Sequence, residues 1–189
     1  ERTLEMSRLT VFEETAPQTA VLDTTEFETI ASTLNDIGVR FERWEAREAF
    51  AADATQEDVL AAYRDEVERI CAEGGYTTVD IIRVTEETPN KDAIRAKFLD
   101  EHTHSEDEVR FFIEGAGVFY LRVDGKVHMV LCEQNDLISV PANTTHWFDM
   151  GPDARLAAIR FFNNEEGWVP NFTESGIAKG FPTFEFMAA

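Results

Sequence analysis

Cysteine is nearly absent: the 189 residues contain only Cys71 and Cys132, one in a segment that reads as a helix and one in a segment that reads as a strand. That spacing excludes a disulfide framework and a zinc ribbon. A reducing compartment is the natural setting, and a cytoplasmic location is expected. Basic residues are scarce as well, with 17 Lys and Arg against 37 Asp and Glu and a formal net charge of −20. Such a field repels a nucleic acid backbone and an anionic membrane, so neither is expected as a partner, and small molecules remain. Salt screens that field beyond ~8–10 Å, so an anionic ligand would need a local positive charge of its own. No apolar run approaches the ~20 residues of a membrane span. The stretch from Glu1 alternates charged and apolar residues and shows neither the basic leader nor the apolar core of a signal peptide.

What is abundant is core material. Apolar residues make up 43% of the chain and 15 of them are Phe, and a domain of this length buries roughly two thirds of the surface its unfolded chain exposes. No repeat, low-complexity tract or Ser/Gly linker divides the sequence, so residues 1–189 are expected to form one domain. Alternation over residues 4–12 predicts a strand. Phe27, Ile30, Leu34 and Ile37 recur at helical spacing over 25–37, stopped by Gly38, and 39–44 reads as another strand. Thr55, with Asp58 three residues on, opens a helix whose stripe of Val59, Leu60, Tyr63, Val67, Ile70 and Cys71 ends at Gly74 and Gly75. A strand over 78–84 and a short helix over 93–97 follow. From Phe98 to Phe162 the texture changes to short β runs separated by turn signals, among them Glu114–Gly115 and the hairpin dipeptide Asp124–Gly125. The expected architecture is mainly β or α+β: a helix-rich part, 1–97, wrapping a β-barrel or jelly-roll core, 98–162, with a C-terminal segment, 163–189.

Two of the four histidines stand at i and i+2 in His102-Thr-His104-Ser-Glu-Asp-Glu108. Imidazoles two residues apart face the same way only on a strand; on a helix they splay by about 200°. Glu108 keeps the same parity and follows a gap long enough for a turn, so its carboxylate can return toward the rings. A third imidazole, His146, closes Pro141-Ala-Asn-Thr-Thr-His146 at the start of an apolar β run. Any one of these alone reads as a surface pair, a solvated acid or a core histidine. Together they form a nitrogen-rich set suited to one divalent transition metal, Fe(II), Ni(II), Mn(II) or Co(II), with positions left open for chemistry. His128 falls outside the pattern and reads as structural or exposed. Arg110 shares the parity of Glu108 and should face the same cavity, or else pair with one of the many acids. Arg160, inside the apolar run 156–162, needs either an anion or a buried acid as its partner.

This arrangement resembles the paired signatures of the cupin superfamily, and the string from Glu101 to Phe112, EHTHSEDEVRFF, resembles the acireductone dioxygenase family in particular. The second signature departs from its common form at Asn135 and Asn143, where Gly is usual. The resemblance implies a cupin-type barrel with His102, His104, Glu108 and His146 as metal ligands and Fe(II) or Ni(II) as the cofactor. It also implies a pocket lined by Phe98, Arg110, Phe148, Arg160 and Trp168. Taken singly, each of those aromatics reads as core; by parity Phe98 would share a strand face with His102, and Phe148 one with His146. The implied reaction is cleavage of an ene-diol ketone with a methylthio tail by O₂ in methionine salvage, with Arg110 holding an anionic oxygen. Iron is implied to give formate and 4-methylthio-2-oxobutanoate, and nickel formate, carbon monoxide and 3-methylthiopropionate. A monomer is expected. The rival readings are another cupin metalloenzyme, a non-enzymatic ligand-binding cupin, and a metal that only fastens the barrel.

Overall fold

The structure, a computed structural model, describes residues 6–45, 54–153 and 155–188. In chain order the strands are β1 (Arg8–Glu13), β2 (Ala20–Thr24), β3 (Arg40–Arg43), β4 (Thr78–Val84), β5 (His102–Thr103), β6 (Glu108–Val123), β7 (Lys126–Glu133), β8 (Asp136–Val140), β9 (His146–Asp149), β10 (Leu156–Phe162) and β11 (Asn171–Phe172). The helices are α1 (Phe27–Asn35), α2 (Gln56–Ala62), α3 (Arg64–Gly74), α4 (Lys91–Leu99) and α5 (Phe184–Met187). Among the described residues no helix is long and apolar enough to cross a membrane.

The long strand β6 is the spine. Its first half pairs with β8 and β10, which carry β3 and β4 on their far sides. Its second half pairs with β7 and β9, and the sheet continues through β7 to β1 and β2 and through β9 to β5 and β11. Every pairing is antiparallel. Two sheets sharing one strand enclose an apolar interior to which Leu9, Phe119 and Val130 contribute from one side and Phe112, Ile138 and Ala158 from the other.

A bulge makes the sharing possible. Val109, Phe111 and Ile113 face outward while Phe112 faces the interior; beyond the irregularity opposite Ala157 and Ala158, Ala116, Val118 and Tyr120 face outward and Phe119 and Leu121 inward. One extra residue reverses the side-chain parity and turns the strand from one sheet to the other. Gly115 serves it twice over: its φ is +72°, and a Cβ there would stand 1.9 Å from the Arg155 carbonyl oxygen. The turn expected at Glu114–Gly115 is therefore a bulge inside a continuous strand. Asp124 and Gly125, both at positive φ, do form the expected two-residue hairpin between β6 and β7.

Helix α1 adds Ile30 and Leu34 to the interior cluster, and α4 packs Ile94 and Phe98 against it; the outer faces of the sheets are covered from other parts of the chain. Val59, Tyr63 and Ile70 cover the outer face of one sheet over Val109, Phe111 and Ile159, and Phe181 and Met187 cover the other over Tyr120, Met129 and Trp147. Several expectations need correction. The helix read from Thr55 is two, opened by the predicted Thr55–Asp58 capping box and broken at Tyr63, where φ −107° and ψ 22° leave the helical region. The break lets the Tyr63 ring pack against Phe111 and Trp44. The strand over 4–12 is β1, shifted to Arg8–Glu13, with residues 1–5 outside the described residues. Strand β2 was not anticipated, and Phe98 lies in α4, not on a strand.

Candidate metal centre

His102 and His146 sit directly opposite each other on β5 and β9, and His104 follows two residues later. Their candidate ligand atoms, with that of His104, all lie within 4.8 Å of one another, and all three residues are buried. Each ring turns Nδ1 to a backbone carbonyl, donating from His102 to Asp100 at 2.6 Å, from His104 to Val169 at 3.3 Å and from His146 to Thr144 at 2.8 Å. With the proton fixed on Nδ1, each Nε2 keeps its lone pair for a metal, the usual way an outer hydrogen bond prepares a ligand. Glu108, at the head of β6, brings Oε2 within 2.8 Å of His146 Nε2 and 3.4 Å of His104 Nε2.

Electrostatics favour the same use. Burial, with the neighbouring His146 adding to it, pushes His102 down to about 4, so the ring is neutral near pH 7. His104 is also lowered, mainly by burial. Burial would raise Glu108, but Arg110 and the imidazoles outweigh it and hold the carboxyl well below the usual range. Burial would lower His146 too, but its contact with Glu108 outweighs that and raises the ring; with that proton given up to a cation, three imidazoles and a carboxylate make a donor set that fits a divalent transition metal.

The departures at Asn135 and Asn143 leave the turns intact. Both residues adopt positive φ, +77° and +63°, the left-handed conformation that Asn tolerates best after Gly. The Asn143 N–H donates to the His104 carbonyl at 2.8 Å, tying the two signature segments together. Asp107 adds a second tie, accepting from Ala142 N at 2.9 Å and from the Tyr76 hydroxyl at 2.8 Å.

Beside the cluster opens a cavity of about 120 Å³. Its lining includes His102, His104 and Glu108, then Arg110, Arg160 and Trp168, and an apolar wall to which Phe98, Phe112, Phe119 and Phe148 contribute. All five positions named for the pocket therefore meet there. Phe98 arrives from α4, because the chain turns at Asp100 into extended backbone; its supposed strand parity with His102 is wrong. Arg160 has found an acid, Asp80, in a bidentate pair at 2.8 and 2.6 Å. Among the described residues Arg110 has the Val109 carbonyl at 3.0 Å and a loose approach to Glu108 at 3.6 Å. His128 is buried on β7, its proton affinity lowered by burial, and does not line the cavity.

Sequence reasoning missed Asp80, Asp107 and the apolar residues Ile82, Met150 and Ala158 of the wall. Parity was the available signal for Ile82 and Ala158; nothing local marked Asp80 as a partner for a residue 80 positions away.

Comparison with known proteins agrees with this geometry. The model of the ARD/ARD′ family matches residues 8–170. An acireductone dioxygenase of Parvibaculum lavamentivorans is 56% identical over 180 residues, covering 95% of this chain and 98% of that protein. One of Pseudomonas aeruginosa is 54% identical over 180 residues, covering 95% and 99%. Among solved structures, the acireductone dioxygenase from Bacillus anthracis with a cadmium ion in its active centre matches with a TM-score of 0.77 and 32% identity, covering 88% of this chain and 98% of that one.

Proposed function

The chain belongs to the acireductone dioxygenase (ARD/ARD′) family of the cupin superfamily, and from that premise we propose how its residues carry out the reaction. It is a metal-dependent dioxygenase of methionine salvage that cleaves acireductone with O₂. The observation that carries the reading is the meeting of three imidazoles, each with Nδ1 on a backbone carbonyl, beside an apolar cavity that His102 and His104 help to line.

His102, His104, His146 and Glu108 would hold the metal, Fe(II) or Ni(II), which when bound supplies Lewis-acid stabilisation of the substrate's negative charge. Arg110 is the cation with donors to spare: it is half-buried, among the described residues it meets the Val109 carbonyl and, more loosely, Glu108, and it can take an anionic substrate oxygen and stabilise charge that develops there. It answers locally the repulsion set by the overall charge of −20. Phe98, Phe148 and Trp168 give the methylthio tail an aromatic wall and keep water from the reacting carbons. Of the charged side chains that line the cavity, Arg110 and Arg160 stand against Asp107 and Glu108, with Asp80 behind Arg160, so a divalent cation is what would turn the site toward an anionic guest. Since residues of one chain build the whole site, we propose that the chain acts as one unit and as a monomer.

Iron-loaded protein given acireductone and O₂ should yield formate and 4-methylthio-2-oxobutanoate; nickel-loaded protein should yield formate, carbon monoxide and 3-methylthiopropionate. Oxygen uptake with neither product set would reject the substrate assignment.

A further inference from the structure

Three strands place Asp80, Arg160 and Arg110 in one row: Asp80 of β4 lies opposite Arg160 of β10, which lies opposite Arg110 of β6. Like charges directly opposite one another on a sheet are unfavourable, and here two guanidiniums face the same cavity. They are not equivalent. Asp80 engages Arg160 through both Nε and Nη2, at 2.8 and 2.6 Å, and so fixes the plane of that guanidinium. Over that plane lies the Trp168 ring, its centroid 3.9 Å from Arg160 Cζ, in an edge-to-face contact with Phe162 whose ring centroids are 4.4 Å apart.

Trp168 has no hydrogen bond of its own to set its orientation. Its indole Nε1 is buried and unpartnered among the described residues, although an indole N–H out of water ordinarily finds an acceptor. It stands at the end of a short 3-10 turn, Glu165–Trp168. The guanidinium beneath the ring and the Phe162 edge are the contacts that hold this wall of the cavity.

We infer that Asp80, though it does not line the cavity, is a positioning residue for substrate binding: it anchors Arg160, and Arg160 in turn holds Trp168 as one wall of the pocket. This assigns the two arginines different work. Arg110 keeps donors for an anionic oxygen, whereas Arg160, committed to Asp80, acts on the shape of the pocket and on the fit of the substrate's apolar tail. The inference rests on the acireductone reading given above.

The test is a double-mutant cycle on iron-loaded protein. Asp80→Asn, Trp168→Leu and the double variant are compared with wild type for kcat, KM and bound iron, using acireductone and an analogue with a shortened tail. The expected result is a rise in KM for acireductone of ~10-fold in each single variant, from loss of apolar contact to the tail, with kcat within about twofold and iron content unchanged. The shortened analogue should show little change, and the double variant should bind no worse than the poorer single variant, because both act through one wall. Asp80→Thr, a residue at home in a strand, repeats the measurement if the amide variant folds poorly. An unchanged KM, an equal effect on both substrates, or additive effects in the double variant would overturn the inference. Inactivity of the wild type toward acireductone would instead strike the parent reading, so the two failures are separable.

Discussion

The Phe148 ring occupies the space where any residue but glycine at 117 would carry its side chain: a Cβ on Gly117 would come within 2.2 Å of Phe148 Cζ. The two residues are on neighbouring strands, β6 and β9, and Phe148 is part of the cavity wall. The glycine therefore lets the ring lie flat against the barrel. Gly117→Ala should push Phe148 from that position at a stability cost of ~1–3 kcal/mol, typical of overpacking. Thermal unfolding should show a modest loss, and steady-state kinetics a KM raised by at least ~10-fold, or a one-methyl cost of ~1.4 kcal/mol in binding. Wild-type KM in a folded variant would mean that Phe148 does not bound the substrate.

Arg110→Ala should retain the metal and lose turnover. Removing one preorganised donor to a developing negative charge lowers kcat by ~10²–10³-fold, and no member of the proposed ligand set is removed with it. Metal analysis beside oxygen-uptake rates reads both halves; full activity would take Arg110 out of the mechanism.

Glu108→Gln keeps the shape of the side chain and removes its charge. Its Oε2 lies 2.8 Å from His146 Nε2, so the change strips the anionic donor from the proposed set. Turnover should fall by at least ~100-fold, beyond what loss of an outer partner to a ligand costs, while the circular dichroism spectrum stays that of folded protein. A variant that turns over normally yet unfolds earlier would instead mark the metal as a fastening of the barrel.

Gly115→Ala should be among the most damaging substitutions in the β core without touching the cavity. The residue sits at φ +72° and a Cβ would meet the Arg155 carbonyl oxygen at 1.9 Å. Left-handed strain of ~1–2 kcal/mol adds to overpacking of ~1–3 kcal/mol, and denaturant titration should show a loss of ~2–5 kcal/mol in total. A variant as stable as wild type would mean that the bulge is not what turns β6 from one sheet to the other.

The meeting of the three histidines was legible because it is written in local spacing: His102 and His104 at strand parity and His146 at the start of an apolar run, with Glu108 a short turn away and within reach of them. The barrel was legible as texture, from short alternating runs and the Asp124–Gly125 hairpin. What escaped depends on partners distant in sequence. The apolar stripe runs unbroken through Tyr63, and the break there accompanies packing of its ring against Phe111 and Trp44, which are far away in sequence. Glu114–Gly115 carries the signal of a turn, and only the pairing of β6 with β10 makes it a bulge. Phe98 reaches the cavity by a route opposite to the one its spacing suggested, from a helix that ends before His102. The pairing of Asp80 with Arg160 joins strands 80 positions apart, which no local pattern reports.

The most direct measurement of the central claim is reconstitution of chelator-treated protein with Fe(II), following bound metal and acireductone-dependent oxygen uptake together. One equivalent of iron per chain should restore full uptake, and His146→Ala, deprived of the imidazole that faces His102 across β5 and β9, should neither hold that equivalent nor recover. Uptake that survives removal of the metal, or a His146→Ala protein that binds iron and turns over like wild type, would contradict the account.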